Sequence, residues 1–453
     1  MSITELRILE FFDSEEIERM AREAGFVQRT SPITGMKFLL VFSCGLLNTP
    51  DGTLAQLAAF LSATAGTEVS PQALDERIHG SARDFLHLCL KKALMMASGI
   101  ASLPRGVLDK FQHLYVIDST NFTLHPSLAP VFKGSGGGAS AASLRIQFAF
   151  DYRTCTMYVE LGDVRLSDTS TLARWMDEGV LETDGACLFL FDLGYFKCAT
   201  LAKIASKKDR SFLSKLQFGL KLKRPDGTEL DLSSLLKKGP DPFDCAVMVD
   251  GLAYRLVGRK LPEEVVNRRI RKAREISKAK CKSGQITKGY RLFLGYALFL
   301  TNLPPEYDIE CLSAFYRIRW QVELIFKVWK SILSIHRMRS TRADRVLCEV
   351  YGKLIVAAIV SALSAMTLAL LEGIAVSQHK VARYFRAVAA HWGLAIMAGV
   401  EAQGSFLEQV GKALARFCKK TKQKSKPNIE QVLDAIFSNR EFGCQNTARG
   451  ALA

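Results

Sequence analysis

The sequence predicts a mixed α/β chain: a strand-rich centre between helical ends, with a second strand-rich segment inserted in its later half. Three observations predict it. Residues 1–105, and those from about 306 onward, space their apolar side chains as helices do. From about residue 113 the period shortens to that of strands, with helical stretches between the later ones. Turn signals then recur through residues 217–305. The length, 453 residues, implies several domains, and 48% hydrophobic with 23% charged residues excludes wholesale disorder.

Taken in order, Asp13 with Glu16 resembles a capping box, and Ile17, Met20, Ala21 and Ala24 follow as a helical stripe. Residues 53–78 read as helix, turn, helix, with Ser70 as N-cap and Pro71 at the first helical position. Two readings stand: a DNA-binding helix-turn-helix presenting Gln72 and Arg77, or an ordinary helical hairpin. Five apolar segments, 114–118, 144–150, 157–161, 187–192 and 212–216, read as strands, with helices near 169–178 and 196–206. Three strands, helix, strand, helix, strand is the order of a ribonuclease H-like core. The glycine-rich stretch 134–143 lacks the Gly-Lys-Ser/Thr of a phosphate-binding loop and reads as a connecting loop.

In the insertion, Pro225-Asp226-Gly227 and Asp250-Gly251 mark two hairpins. Glu263 to Lys282 then holds eight basic residues against three Glu, and Arg268, Arg269, Arg271 and Lys272 within it are expected to touch phosphates. A strand ending at Asn302 follows. A second basic run, Lys412 to Lys426, closes the helical end with Lys422 and Lys424 among its cations. The expected organisation is a helical DNA-binding region over 1–105, a catalytic core over 106–216, the insertion over 217–305, the rest of the core over 306–372, and a helical region over 373–453 that serves dimerisation.

Lys and Arg number 61 against 45 Asp and Glu, a net charge of +16, which suits a polyanionic partner: nucleic acid first, an anionic membrane surface second. The closest two of the eleven cysteines lie eleven positions apart, so neither zinc spacing nor a secreted disulfide framework fits. Glu5, Glu10 and Asp13 stand where a signal peptide would be apolar, so a cytoplasmic protein is expected. Leu354 to Leu371 runs eighteen residues without a charge, but its alanines, Ser361, Ser364 and Thr367 suit a buried core helix, and no membrane partner is expected.

Two apolar strand patterns end on a carboxylate, at Asp118 and at Asp192. An ionised carboxylate at the mouth of an apolar strand is costly unless paired or metal-bound. Asp151, Asp163 and Asp168 are also near strand ends and read as turn or cap residues. A third element puts Tyr316, Arg319, Glu323 and Lys330 on one stripe of a helix, a poor core face and a good phosphate site, with Trp320, Phe326 and Trp329 off the stripe as packing residues. Salt bridges lacing an exposed helix would give the same pattern.

Tyr316-x2-Arg319-x3-Glu323-x6-Lys330 resembles the YREK signature of DDE-class transposases of bacterial insertion sequences. Ile117-Asp118-Ser119-Thr120 resembles that group's first-Asp strand, and Asp192-Leu-Gly194-Tyr195-Phe196 its second-Asp motif. The first two acids lie 74 residues apart and the last two 131, room for the insertion such proteins carry. Thr301-Asn302-Leu303-Pro304 resembles the strand before the Glu helix. The resemblance spans about 110 to 345. It implies a ribonuclease H-like core that cuts double-stranded DNA at inverted-repeat ends and joins them to target DNA, acting as a homodimer in a bacterial, nucleoid-associated setting. Asp118, Asp192 and Glu323 would be catalytic metal ligands for Mg²⁺ or Mn²⁺, and Tyr316, Arg319 and Lys330 would hold phosphates. Where members often place a base-stacking Trp, this chain has Tyr296. The alternatives are a DNA-binding regulator or domesticated derivative without transposition, and a ribonuclease H-like nuclease specific for branched DNA.

Overall fold

The computed structural model describes residues 3–98, 106–136, 140–279, 284–371 and 376–420. Lys280, Lys282, Lys422, Lys424 and the centre of the glycine-rich stretch lie outside the described residues.

The chain opens with α1 (Ile3–Phe11), α2 (Ser14–Glu23), α3 (Gly35–Leu40), α4 (Leu46–Asn48), α5 (Leu54–Ala65), α6 (Pro71–Glu76) and α7 (Gly80–Ala97). The caps lie where the side chains dictate: Asp13 accepts from the Glu16 amide at 2.8 Å, Ser70 from Ala73 at 3.0 Å, and Pro71 begins α6. Strands and helices then alternate as β1 (His113–Thr123), β2 (Ser143–Asp151), β3 (Met157–Gly162), α8 (Asp168–Asp177), β4 (Cys187–Phe191), α9 (Cys198–Ala205) and β5 (Arg210–Lys215). The insertion carries α10 (Leu232–Lys238), β6 (Phe243–Val249), β7 (Leu252–Lys260), α11 (Glu263–Ala279), α12 (Lys288–Leu294) and β8 (Tyr296–Thr301). Six helices follow: α13 (Ile309–Ile318), α14 (Trp320–Ser331), α15 (Ala343–Leu370), α16 (Gln378–Ala387), α17 (Ala389–Ala398) and α18 (Val400–Phe417).

The strands form one sheet in the order β3-β2-β1-β4-β5-β8-β7-β6. β4 runs parallel to β1 and β5, and β2 antiparallel to β3, so the first five strands have the ribonuclease H-like arrangement the element order predicts. Every residue of β4 is buried, as a strand inside a parallel sheet requires. The insertion adds its strands to this sheet through β8, which pairs antiparallel with β5 and β7. It also holds more helix than its turn-rich sequence suggests: the basic run is the 17-residue α11, of which only Ile270 is buried. Asp250 and Gly251, with φ of 49° and 82°, make the two-residue hairpin between β6 and β7. The turn at Pro225 to Gly227 closes only an isolated bridge, Lys223 to Glu229.

The described residues divide into two compact units. One holds the residues up to 98 with 118–167 and 321–420, and its core helix is α15. Among the described residues α15 alone is long and apolar enough to cross a membrane, and 89% of its apolar window is buried inside the protein. Two of its hydroxyls are satisfied within the helix, Ser364 donating to Val360 at 2.7 Å and Thr367 to Leu363 at 2.6 Å. Gly352 lets α15 press against the π turn Val41–Gly45, because a Cβ there would lie 1.9 Å from the Phe42 carbonyl oxygen. Arg77 turns inward, donating to the Phe26 carbonyl at 3.1 Å with its guanidinium 4.6 Å from that ring's centroid. With α6 only six residues long, the helical-hairpin reading of 53–78 fits and a recognition helix does not.

Asp163, in the same unit, bears out its reading as a turn residue. It accepts from the Lys133 amide at 2.9 Å and from the Arg165 side chain and amide, and these hold its carboxyl down to about 2. A depressed carboxyl stabilises the fold above its unfolded value near 4 and loses that contribution as pH falls through about 2. Asp163→Asn is therefore expected to cost about 1–2 kcal/mol at pH 7, with the difference from the parent vanishing towards pH 2, measured by denaturant unfolding at each pH.

The other unit holds residues 106–117 and 168–320. Arg255 of β7 clamps the segment before α13, donating to Leu303 and Pro304, each at 2.7 Å, and to Tyr307 at 3.2 Å. Asn302 extends the β5 to β8 ladder with its side chain, accepting from the Phe212 amide and donating to the Arg210 carbonyl, both at 2.8 Å. The Thr-Asn pair before the Glu helix is thus a register lock.

Candidate active site

In the parallel pairing of β1 with β4, Ile117 stands opposite Phe191. The next residue of each chain segment is an aspartate, Asp118 and Asp192, both half-buried. β4 ends at Phe191, so Asp192 leaves the carboxyl edge of the sheet, where α/β folds place their reactive groups, whereas β1 continues past Asp118 to Thr123. Asp192 occupies the N-cap position of a 3₁₀ turn, Leu193–Tyr195, but its carboxylate makes no cap hydrogen bond. Asp118 accepts from the Ser119 amide at 2.8 Å. A third carboxylate borders the Asp192 loop: a Cβ on Gly194 would lie 3.3 Å from Asp168 Oδ2.

The signature helix is two helices, α13 and α14, joined at Arg319, which keeps helical dihedrals of −51° and −33°. The two halves of the stripe differ in burial. Tyr316 and Arg319 are buried, at 5% and 6% exposure, whereas Glu323 and Lys330 are exposed. The Tyr316 hydroxyl donates to the Phe191 carbonyl at 3.3 Å, tying α13 to the residue before Asp192. Lys215 and Arg319 lie over the Tyr316 ring, 5.0 and 5.7 Å from its centroid. Phe326 and Trp329 are buried as expected of packing residues, but Trp320 is 61% exposed.

Of the insertion's candidates, Arg268, Arg271 and Lys272 are exposed on α11. Arg269 instead donates to the Leu294 and Tyr296 carbonyls at 3.4 and 2.8 Å, which joins α11 to α12 and β8, and burial lowers its pKa. Tyr296 donates its hydroxyl to the Leu236 carbonyl and lines a cavity of about 260 Å³ together with Leu193, Lys215, Lys272, Tyr290 and Phe293. Phe218, 47% exposed, packs on Tyr290 and Phe293 at centroid distances of 4.8 and 5.2 Å. Sequence reasoning missed this aromatic group. Its signal was aromatic residues interleaved with lysine and arginine at 288–296.

The model of the family described as "Transposase DDE domain" matches residues 109–359, more than half of the chain and the span that holds Asp118, Asp192 and Glu323. The chain belongs to this family. It is similar to the transposase for insertion sequence element IS231D of Bacillus thuringiensis subsp. finitimus, with 27% identity over 365 residues and 75% of each chain covered. It resembles the IS1151 transposase of Clostridium perfringens equally, at 27% identity with 77% of each chain covered. The putative transposase InsL of IS186A from Escherichia coli is 24% identical over 76% of this chain and 89% of its own. A solved piggyBac transposase synaptic complex with hairpin DNA has 10% identity and a TM-score of 0.49, covering 94% of this chain and 87% of that one. The protein is thus a transposase, an enzyme that acts on DNA, and its family carries a general dependence on divalent metal.

The residues fit such an ion in donor chemistry: Asp118 and Asp192, both half-buried, offer hard carboxylate oxygens, the kind that suits Mg²⁺ and Mn²⁺. Among the described residues no three His, Cys, Asp or Glu side chains are gathered as a metal site.

Proposed function

We propose that this transposase belongs to the YREK group, cuts DNA at the inverted-repeat ends of an insertion sequence and joins those ends to target DNA. Asp118, Asp192 and Glu323 would hold Mg²⁺, with Mn²⁺ as a substitute. Bound there, the metal supplies charge stabilisation at the scissile phosphate and lowers the pKa of an attacking hydroxyl. The single observation that supports the reading is the parallel pairing of Ile117 with Phe191, the residues that precede Asp118 and Asp192, with the Asp192 carboxylate not used as a cap. The exposed Lys330 is suited to a DNA phosphate, while the buried Tyr316 would support the Asp192 strand through its bond to the Phe191 carbonyl, with Arg319 over its ring. Arg268, Arg271 and Lys272 would follow the DNA backbone along α11, and the ring of Tyr296 with its aromatic neighbours would stack an unpaired base. The protein would work as a homodimer on two ends, in the bacterial cytoplasm at the nucleoid.

The test is a supercoiled plasmid carrying the terminal sequences that flank the reading frame. Nicking at those termini, dependent on Mg²⁺ and absent from a plasmid without them, is the expected result. Cleavage of branched DNA irrespective of termini would favour a structure-specific nuclease instead. Lys330→Ala should weaken end binding and lower the slope of log affinity against log salt by about one.

A further inference from the structure

A cavity of about 830 Å³ opens wholly within the unit that contains the N-terminal helices, well inside the range of small-molecule sites. Its walls are the end of α2, the 27–34 loop, the start of α3, and the turn from α17 into α18. No residue of the YREK signature lines it.

Three independent features point to one kind of ligand. First, α18 is an 18-residue helix whose N-cap, Gly399, gives no side-chain cap hydrogen bond, and Gly399 and Val400 line the cavity, with Glu401 next on that turn. Such a terminus carries partial positive charge and free N–H donors, which favour an anion. Gly399 holds φ at 106°, a backbone that favours glycine, and that conformation turns the chain from α17 into α18. Second, Arg22 and Arg29 line the same space, and neither makes an ion pair or side-chain hydrogen bond among the described residues. The one carboxylate on the wall with them, Glu18, is engaged: it accepts from the Gly35 and Met36 amides at 3.1 and 2.9 Å. Lys37 anchors the loop by donating to the Pro32 carbonyl at 3.1 Å. Third, Gln403 lies on the wall at 2% exposure with its amide oxygen unpaired, a buried acceptor that costs free energy until a donor meets it. Beside it Val27, Met397 and the 62% exposed Val400 give an apolar surface.

An anion pocket next to an apolar wall with a buried amide matches the parts of a nucleotide. We propose that this cavity binds a nucleoside phosphate, its phosphate held by Arg22, Arg29 and the first turn of α18, and its base on the Val27, Met397 and Val400 wall with a ring N–H or amino group meeting Gln403. The nucleotide could come from a free pool or from an unpaired 5′ end of DNA, and the chemistry recognised is the same.

The full chain, in EDTA at constant ionic strength, is titrated separately with two probes: fluorescently labelled adenosine diphosphate, and a 5′-phosphorylated single-stranded decanucleotide. Saturable binding of at least one probe is expected, weakened tenfold or more in Arg22→Ala/Arg29→Ala and severalfold in Gln403→Leu. Both arginines are exposed, so the double variant should keep its fold. Binding of the diphosphate assigns the site to free nucleotide, and binding of the decanucleotide alone assigns it to a DNA end. Asp192→Asn should bind either probe as the parent does, which separates this site from the strand-cleavage reading. No saturable binding of either probe, or binding unchanged in the double arginine variant, overturns the proposal.

Discussion

Asp192→Asn is expected to lose strand cleavage by about a thousandfold or more while still binding transposon-end DNA, the scale on which single charge-stabilising groups count in catalysis. The substitution keeps the shape of the side chain and removes its charge. It spares the fold because the Asp192 carboxylate makes no cap hydrogen bond with the 3₁₀ turn behind it, whose Tyr195 amide bonds to the Asp192 backbone carbonyl at 2.9 Å. The same outcome is expected of Asp118→Asn, where the amide oxygen can still accept from Ser119, and of Glu323→Gln on the exposed face of α14. Cleavage within tenfold of the parent in a given variant would remove that carboxylate from the catalytic set. Loss of end binding together with cleavage would point to a positioning role.

The largest effect on stability is expected at Lys353, far from any sequence motif. Its ammonium is 1% exposed and donates to the Ser334 and Arg337 carbonyls at 3.0 and 3.3 Å, holding the chain that leaves α14. Ser334 sits at φ 48°, a left-handed position that a non-glycine residue takes only when its surroundings hold it. Glu349, one turn earlier on α15, is buried as well and pairs with Arg345 at 3.1 Å. Burial outweighs the attraction between the two charges: Lys353 is lowered to about 8 and Glu349 is raised. Lys353→Met relieves the desolvation of the ammonium but leaves the Ser334 and Arg337 carbonyls short of a donor, and the second effect is the larger. The expected loss is about 3 kcal/mol at pH 7, read from the denaturant midpoint. Because the fold favours neutral Lys353, its contribution grows as pH rises through about 8 towards the unfolded value of 10.5, and the gap between parent and variant should widen over that window. A Lys353→Met protein as stable as the parent at every pH would show that the loop needs no such anchor.

The strands of the core were legible because an apolar run that stops at a carboxylate, as Phe189 to Asp192 does, fits a buried strand whose last residue emerges at the sheet edge; a carboxylate any deeper would be costly. Their order was legible because three strands, then helix, strand, helix, strand is the ribonuclease H-like pattern. The joining of the insertion to the sheet was not, because the pairing of Leu213 with Thr301 links strands almost ninety residues apart and leaves no mark in local periodicity. Burial along the signature helix was hidden for a related reason. Tyr316 and Glu323 share a stripe, and spacing says which residues align, not where the neighbouring strands stop covering them. Arg255 and Lys353 escaped notice as lone cations in or beside apolar runs, where their partners are backbone carbonyls, which every residue carries.

The central claim, that Asp118, Asp192 and Glu323 bind the catalytic cation, is tested most directly by changing the ligand atom and then the metal. In Asp192→Cys a thiolate replaces a hard oxygen, which disfavours Mg²⁺ more than softer cations such as Mn²⁺. No cleavage of end-bearing DNA by this variant is expected in Mg²⁺ and measurable recovery in Mn²⁺, with the parent active in both. Parent-like cleavage by Asp192→Cys in Mg²⁺ would contradict the claim.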